Sequence, residues 1–126
     1  MTSAARPLPP WLTVSTGPAP AVVDGRACQT RAAFFEEVAR VLRFPDYFGR
    51  NWDALTDSLR DVTRTGNVTL VVEHAEELLG AEPLEQLATL LSVLADAADA
   101  GLTVTLRTDP GHEIPLRRRV AAALTQ

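Results

Sequence analysis

Two hydrophobic periods alternate along this chain, and each switch between them marks a change of element. Ala21-Val22-Val23 runs into Asp24-Gly25 and reads as a short strand that leaves through a turn. Thr30 is placed to cap a helix to about Leu42, with Phe34, Val38, Val41 and Leu42 at i, i+4, i+7 and i+8, and with Glu36 and Glu37 near its positive end. Pro45 stops that helix, and Gly49 marks a tight position in the loop Phe44–Arg50. Asn51 then opens a second helix reaching about Asp61. Leu55, Leu59 and Val62 line one side of it and Asp53, Asp57 and Asp61 the other.

Past the turn Thr65-Gly66-Asn67, the run Val68–Val72 is β-branched and almost wholly apolar, as a strand covered on both faces should be. Residues 74–79 are expected to form one or two helical turns. Pro83 opens a long helix to about Ala100 through Leu84, Leu87, Leu91 and Leu94, and Gly101 caps it. Leu102–Leu106 alternates as a third strand. Pro110 and Pro115 bracket a loop before a final helix, Leu116–Leu124. The order β-α-α-β-α-α-β-α, with helix-length crossovers between strands, predicts the α/β class: a three-stranded parallel sheet packed by helices.

Composition narrows the class of function. The 126 residues suit one domain, and 46% apolar with 22% charged residues is ordinary for a folded protein. No window approaches the roughly 18 apolar residues of a membrane helix. Residues 1–18 read as a flexible Pro- and Ala-rich arm without a signal-peptide pattern, which together with the single cysteine, Cys28, predicts a cytoplasmic protein with no membrane contact. Sixteen acids against twelve bases, all arginine, give a net charge of −4. That sign argues against direct nucleic-acid binding and for a cationic partner. The one basic cluster, Arg117-Arg118-Arg119, reads as a solvated helix face.

No phosphate loop, nucleophile elbow, zinc-protease helix or cysteine pair is present, so no catalysis, cofactor or metal is expected. The histidines, His74 and His112, stand 38 positions apart and receive no role. What remains is the stripe Asp53, Asp57, Asp61, whose carboxylates lie about 6 Å apart and repel one another. Three readings stay open: a solvated face, a site for a hard divalent cation, or an anionic surface for a basic protein, with Tyr47 and Trp52 supplying contact area.

The segment Phe44-Pro45-Asp46-Tyr47-Phe48-Gly49-Arg50-Asn51-Trp52-Asp53-Ala54-Leu55-Thr56-Asp57 resembles the signature stretch of the barstar family, intracellular inhibitors of a secreted bacterial ribonuclease. The resemblance extends more weakly from about Ala19 to Arg107, leaving an arm over 1–18 and a helical extension over 108–126. It implies a barstar-like fold and a protein that plugs a ribonuclease active site with a loop and the following helix. By position it makes Tyr47, Asp53, Ala54 and the central Asp57 contact residues, with Trp52 beside them, and it matches Asp96 to a contact glutamate. Pro45, Gly49 and Asn51 shape the loop. Thr56 stands where barstar has tryptophan, and Arg60 where it has threonine, so both fall within the expected contact surface and set its partner apart. The expected function is therefore an immunity protein, monomeric when free, that blocks a cationic ribonuclease or related nuclease toxin. The alternative is a regulatory interaction module for a non-nuclease partner.

Overall fold

The apolar, β-branched run at the middle of the chain becomes the central strand of the sheet. The computed structural model describes residues 7–12, 14 and 19–126. In it β1 (Ala21–Asp24), β2 (Val68–Glu73) and β3 (Leu102–Leu106) lie in the order β1-β2-β3, all parallel. Val23 pairs with Val72, and Leu70 with Val104. Leu70 and Val72 are buried on one face of β2, whereas Thr69 and Val71 on the other are half-buried between the exposed Val22, Thr103 and Thr105. The strand is therefore covered on one face rather than on both as expected, its second face being screened only by the neighbouring strands.

Helices α1 (Arg31–Leu42), α2 (Trp52–Arg64), α3 (Leu84–Ala98) and α4 (Glu113–Leu124) share one core with the sheet face that carries Val23, Leu70, Val72 and Leu102. Thr30 caps α1, its hydroxyl accepting the Ala33 N–H at 3.2 Å. The core runs through Phe34, Phe35 and Val38 of α1, Leu55 and Leu59 of α2, and Leu87 and Leu90 of α3. Each large side chain buried there contributes about 1.5–3 kcal/mol. Cys28 is wholly buried in the same core, and burial pushes its thiol pKa up to about 11.

Several boundaries differ from the sequence reading, each for a local reason. α2 continues past Asp61 to Arg64, because Thr63 is buried and returns its hydroxyl to the Leu59 carbonyl at 2.7 Å. α3 ends at Ala98, and Gly101 follows with φ 116, where a Cβ would press on the Asn67 side chain. Residues 74–79 hold one 3-10 turn, Ala75–Glu77, within the one or two turns expected there. Pro115 lies inside α4 rather than in the preceding loop, at the third helical position, where its missing N–H has no partner to lose. The solvated arginine face is also only partly so. Arg117 and Arg118 are exposed, but Arg119 is half-buried, donates to the Leu79 carbonyl at 3.0 Å, and has its pKa drawn down by desolvation.

α4 packs on α3 and on the turn Ala75–Glu77, placing Leu116 and Ala123 in the common core. No helix among the described residues is long and apolar enough to cross a membrane. The flexible arm expected over 1–18 lies largely outside the described residues. In its described part Trp11 is exposed, and the Leu12 N–H donates to the Pro9 carbonyl.

Candidate functional site

The loop between α1 and α2 divides its aromatic side chains between two directions. Phe44 and Phe48 point into the core with ring centroids 5.0 Å apart, and Phe48 meets Phe35 of α1 edge-on at 6.1 Å. Pro45, Asp46 and Tyr47, between them, face solvent, and Tyr47 is 83% exposed. The Phe48 N–H donates to the Pro45 carbonyl at 2.9 Å and closes the turn that lifts the tyrosine outward.

Two further ties fix the loop. Arg50 adopts a left-handed backbone at φ 50, a conformation that costs a non-glycine residue about 1–2 kcal/mol. Its side chain is engaged on both sides, donating to the Glu36 carboxylate on α1 and to the Phe48 carbonyl at 3.2 Å. The hydrogen bond between them holds the Glu36 carboxyl below the usual carboxylate range and raises the Arg50 guanidinium. Asn51 supplies the second tie. Its Oδ1 accepts the Ala54 N–H at 2.7 Å, capping α2, while its Nδ2 donates to the Gly49 carbonyl at 3.2 Å. A Cβ at Gly49 would stand 3.3 Å from both the Ala54 Cβ and the Asn51 Nδ2, so close approach calls for glycine there.

Helix α2 carries the anionic surface outward from this joint. Leu55 and Leu59 hold its inner face in the core, which leaves Asp53, Asp57 and Asp61 exposed along the outer one. The Asp57 side chain is 77% exposed and meets Arg60 only loosely, at 3.8 Å; Asp61 meets Arg64 at 3.3 Å. Exposed pairs of this kind are worth about 0–1 kcal/mol, so the carboxylates stay available to a partner. Among the described residues the three acids are not part of the one group whose ligand atoms gather within 4.8 Å, so the cation reading of the stripe gains no support.

The remaining expected contact residues lie at different depths. Trp52 is half-buried, packed edge-on against Phe35 at 4.9 Å, with its Nε1–H donating to the Gln86 Oε1 at 3.1 Å. It braces the start of α2 more than it offers surface. Ala54 is half-buried behind Gly49. Thr56, also half-buried, returns its hydroxyl to the Trp52 carbonyl at 3.0 Å. Arg60 is exposed, as is Asp96 on α3, the helix packed against α2. Sequence reasoning missed Glu36, Arg50 and Gln86 as supports. The only signal was an arginine beside a glycine and an outward glutamate one helix away.

Fold and surface together define a small parallel α/β domain that carries a rigid, acidic loop–helix unit tipped by a solvent-facing tyrosine. A family model described as Barstar (barnase inhibitor) matches residues 19–112, and the chain belongs to the barstar family. The matched span passes Arg107 and takes in the turn Pro110–His112. The family is described by inhibition of a ribonuclease, so membership points to a ribonuclease-inhibitor-like protein rather than to an enzyme. No curated protein matches the chain.

Proposed function

We propose that this protein is an immunity protein that binds a basic ribonuclease or related nuclease toxin and blocks its active site with the acidic surface of loop 44–50 and α2. The observation that carries the reading is the pairing of an exposed Tyr47 with an exposed Asp57 on a loop–helix unit anchored from beneath. A site that cleaves RNA must hold phosphate with arginine, lysine or histidine, and a fixed carboxylate competes for those same donors, bidentately where the donor is arginine. Asp57 takes the central position and Asp53 flanks it. Tyr47 supplies apolar contact area, and Asp96 adds a contact from α3. Arg60 sets specificity, since it demands either an acid on the partner or distance from its cations. The protein acts in the cytoplasm of the producing cell, as a monomer when free, without a cofactor and without touching nucleic acid.

The test is inhibition of RNA cleavage by a co-encoded or related basic ribonuclease, with wild type compared with Asp57→Ala and Tyr47→Ala. Wild type is expected to inhibit at one-to-one stoichiometry. Asp57→Ala should weaken inhibition about thirtyfold or more, the loss of a hot spot of about 2 kcal/mol. Equal inhibition by Asp57→Ala, or no inhibition of any candidate nuclease, overturns the reading. Capture of a non-nuclease partner through the same surface would favour a regulatory interaction module instead.

A further inference from the structure

The two histidines, which sequence spacing keeps apart, both come to Glu76 in the folded chain. The His74 Nδ1 stands 3.9 Å from one Glu76 oxygen. Ligand atoms of Glu76, Asp109 and His112 also all lie within 4.8 Å of one another. Glu76 belongs to the turn after β2, Asp109 to the loop after β3, and His112 to the residue that opens α4. All three therefore gather at the carboxyl ends of parallel strands, where open α/β sheets bind their ligands.

We propose that Glu76, Asp109 and His112 form a binding site for a divalent cation of the zinc class. One imidazole with two carboxylates is a mixed nitrogen and oxygen set, which suits Zn²⁺ better than the all-oxygen shells of Mg²⁺ or Ca²⁺. Around Zn²⁺, with bonds of about 2.0–2.2 Å, neighbouring ligand atoms stand roughly 3.3 Å apart. The His112 Nδ1 now hydrogen-bonds the Asp109 carboxylate at 2.8 and 2.9 Å, a contact that an ion would replace by displacing the Nδ1 proton and spreading the two ligand atoms. Asp109 and His112 are exposed, and Asp109 also caps the following turn by accepting the His112 N–H at 3.1 Å, so its other oxygen is the one free to meet an ion. Thr108 donates its hydroxyl to the Glu76 Oε1 at 2.6 Å, which orients that carboxylate.

Charge favours the same occupant. The arginines nearby are engaged elsewhere, Arg107 with Glu73 at 3.1 Å and Arg117 with Glu113 at 2.8 Å. The positive end of α4 opposes a cation with about half a charge, against two full carboxylates. A groove of about 590 Å³ runs from Thr108, Asp109 and Pro110 along Leu116 and Val120 of α4. Of the three ligands only Asp109 lines that groove, so it borders the site without containing it.

Isothermal titration of the tag-free full chain with ZnCl₂ tests the site, with long-range ¹H–¹⁵N spectra of the imidazoles as a second readout. One saturable equivalent is expected, with the His112 ring resonances displaced. His112→Gln and Glu76→Gln should each weaken binding about tenfold or more, with unchanged far-ultraviolet circular dichroism, while Asp57→Asn leaves it intact. The absence of a saturable Zn²⁺ isotherm, Mg²⁺ binding of equal strength, or full binding by both glutamine variants overturns the proposal.

Discussion

Asn51 holds two structures with one side chain, and the two can be separated by substitution. Its oxygen caps α2 and its amide nitrogen ties down Gly49. Asn51→Ala should cost about 1 kcal/mol of stability in urea denaturation, the usual cost of a lost cap. Asn51→Asp keeps the cap but loses the donor. It should keep most of that stability while amide exchange at Gly49 and Arg50 speeds up. The cap was legible in the sequence, since asparagine before an amphipathic run is a strong start signal. The tie between Arg50 and Glu36 was not, because it joins positions 14 apart whose meeting depends on how two helices pack. That tie makes the loop sensitive to acid. Glu36 has a folded pKa below its reference value of 4.5, so the unfolded chain binds the proton more readily. The stabilisation is fully present above that reference value and is lost as pH falls through the lowered one. Denaturation of wild type and Glu36→Gln across pH should show a stability gap that is constant near neutrality and closes in acid.

Most elements could be read from spacing, because the strongest periodic runs are also the most buried. The apolar stripes of α1 and α2 face the core as expected, whereas in β2 only Val68, Leu70 and Val72 do, Thr69 and Val71 lying on the outer face of the sheet. Phe35 shows where periodicity alone falls short. It lies at the centre of the aromatic cluster with Phe34, Phe48 and Trp52, although it was not among the stripe residues of its helix. A loop folding back over the helix gives it partners that no helical wheel reveals. Element ends failed where side chains beyond the pattern decided them, as Thr63 did for α2. Leu59→Ala, in the fully buried face of α2, should destabilise by about 2–5 kcal/mol. Thermal denaturation checks this, and inhibition measured well below the midpoint should persist, since the substitution leaves the outer face untouched.

At the scale of the molecule, the topology followed from crossover lengths, whereas the standing of the C-terminal helix did not. The family match ends at His112, yet α4 beyond it inserts Leu116 and Ala123 into the shared core and Arg119 against the Leu79 carbonyl. Deleting residues 113–126 should remove about 3–5 kcal/mol, judged from the apolar side chains uncovered. That is a large share of the roughly 5–15 kcal/mol that stabilises a domain. The shortened chain should lose its cooperative thermal transition or melt far lower. The loop ahead of α2 bears on association itself. Its tyrosine already stands clear of the surface, over a floor of stacked rings, so nothing there has to rearrange before docking. With the basic nuclease proposed above, encounter steered by opposite net charges is then expected to set the rate. Stopped-flow traces should quicken in proportion to nuclease concentration without a plateau, and added salt should slow them.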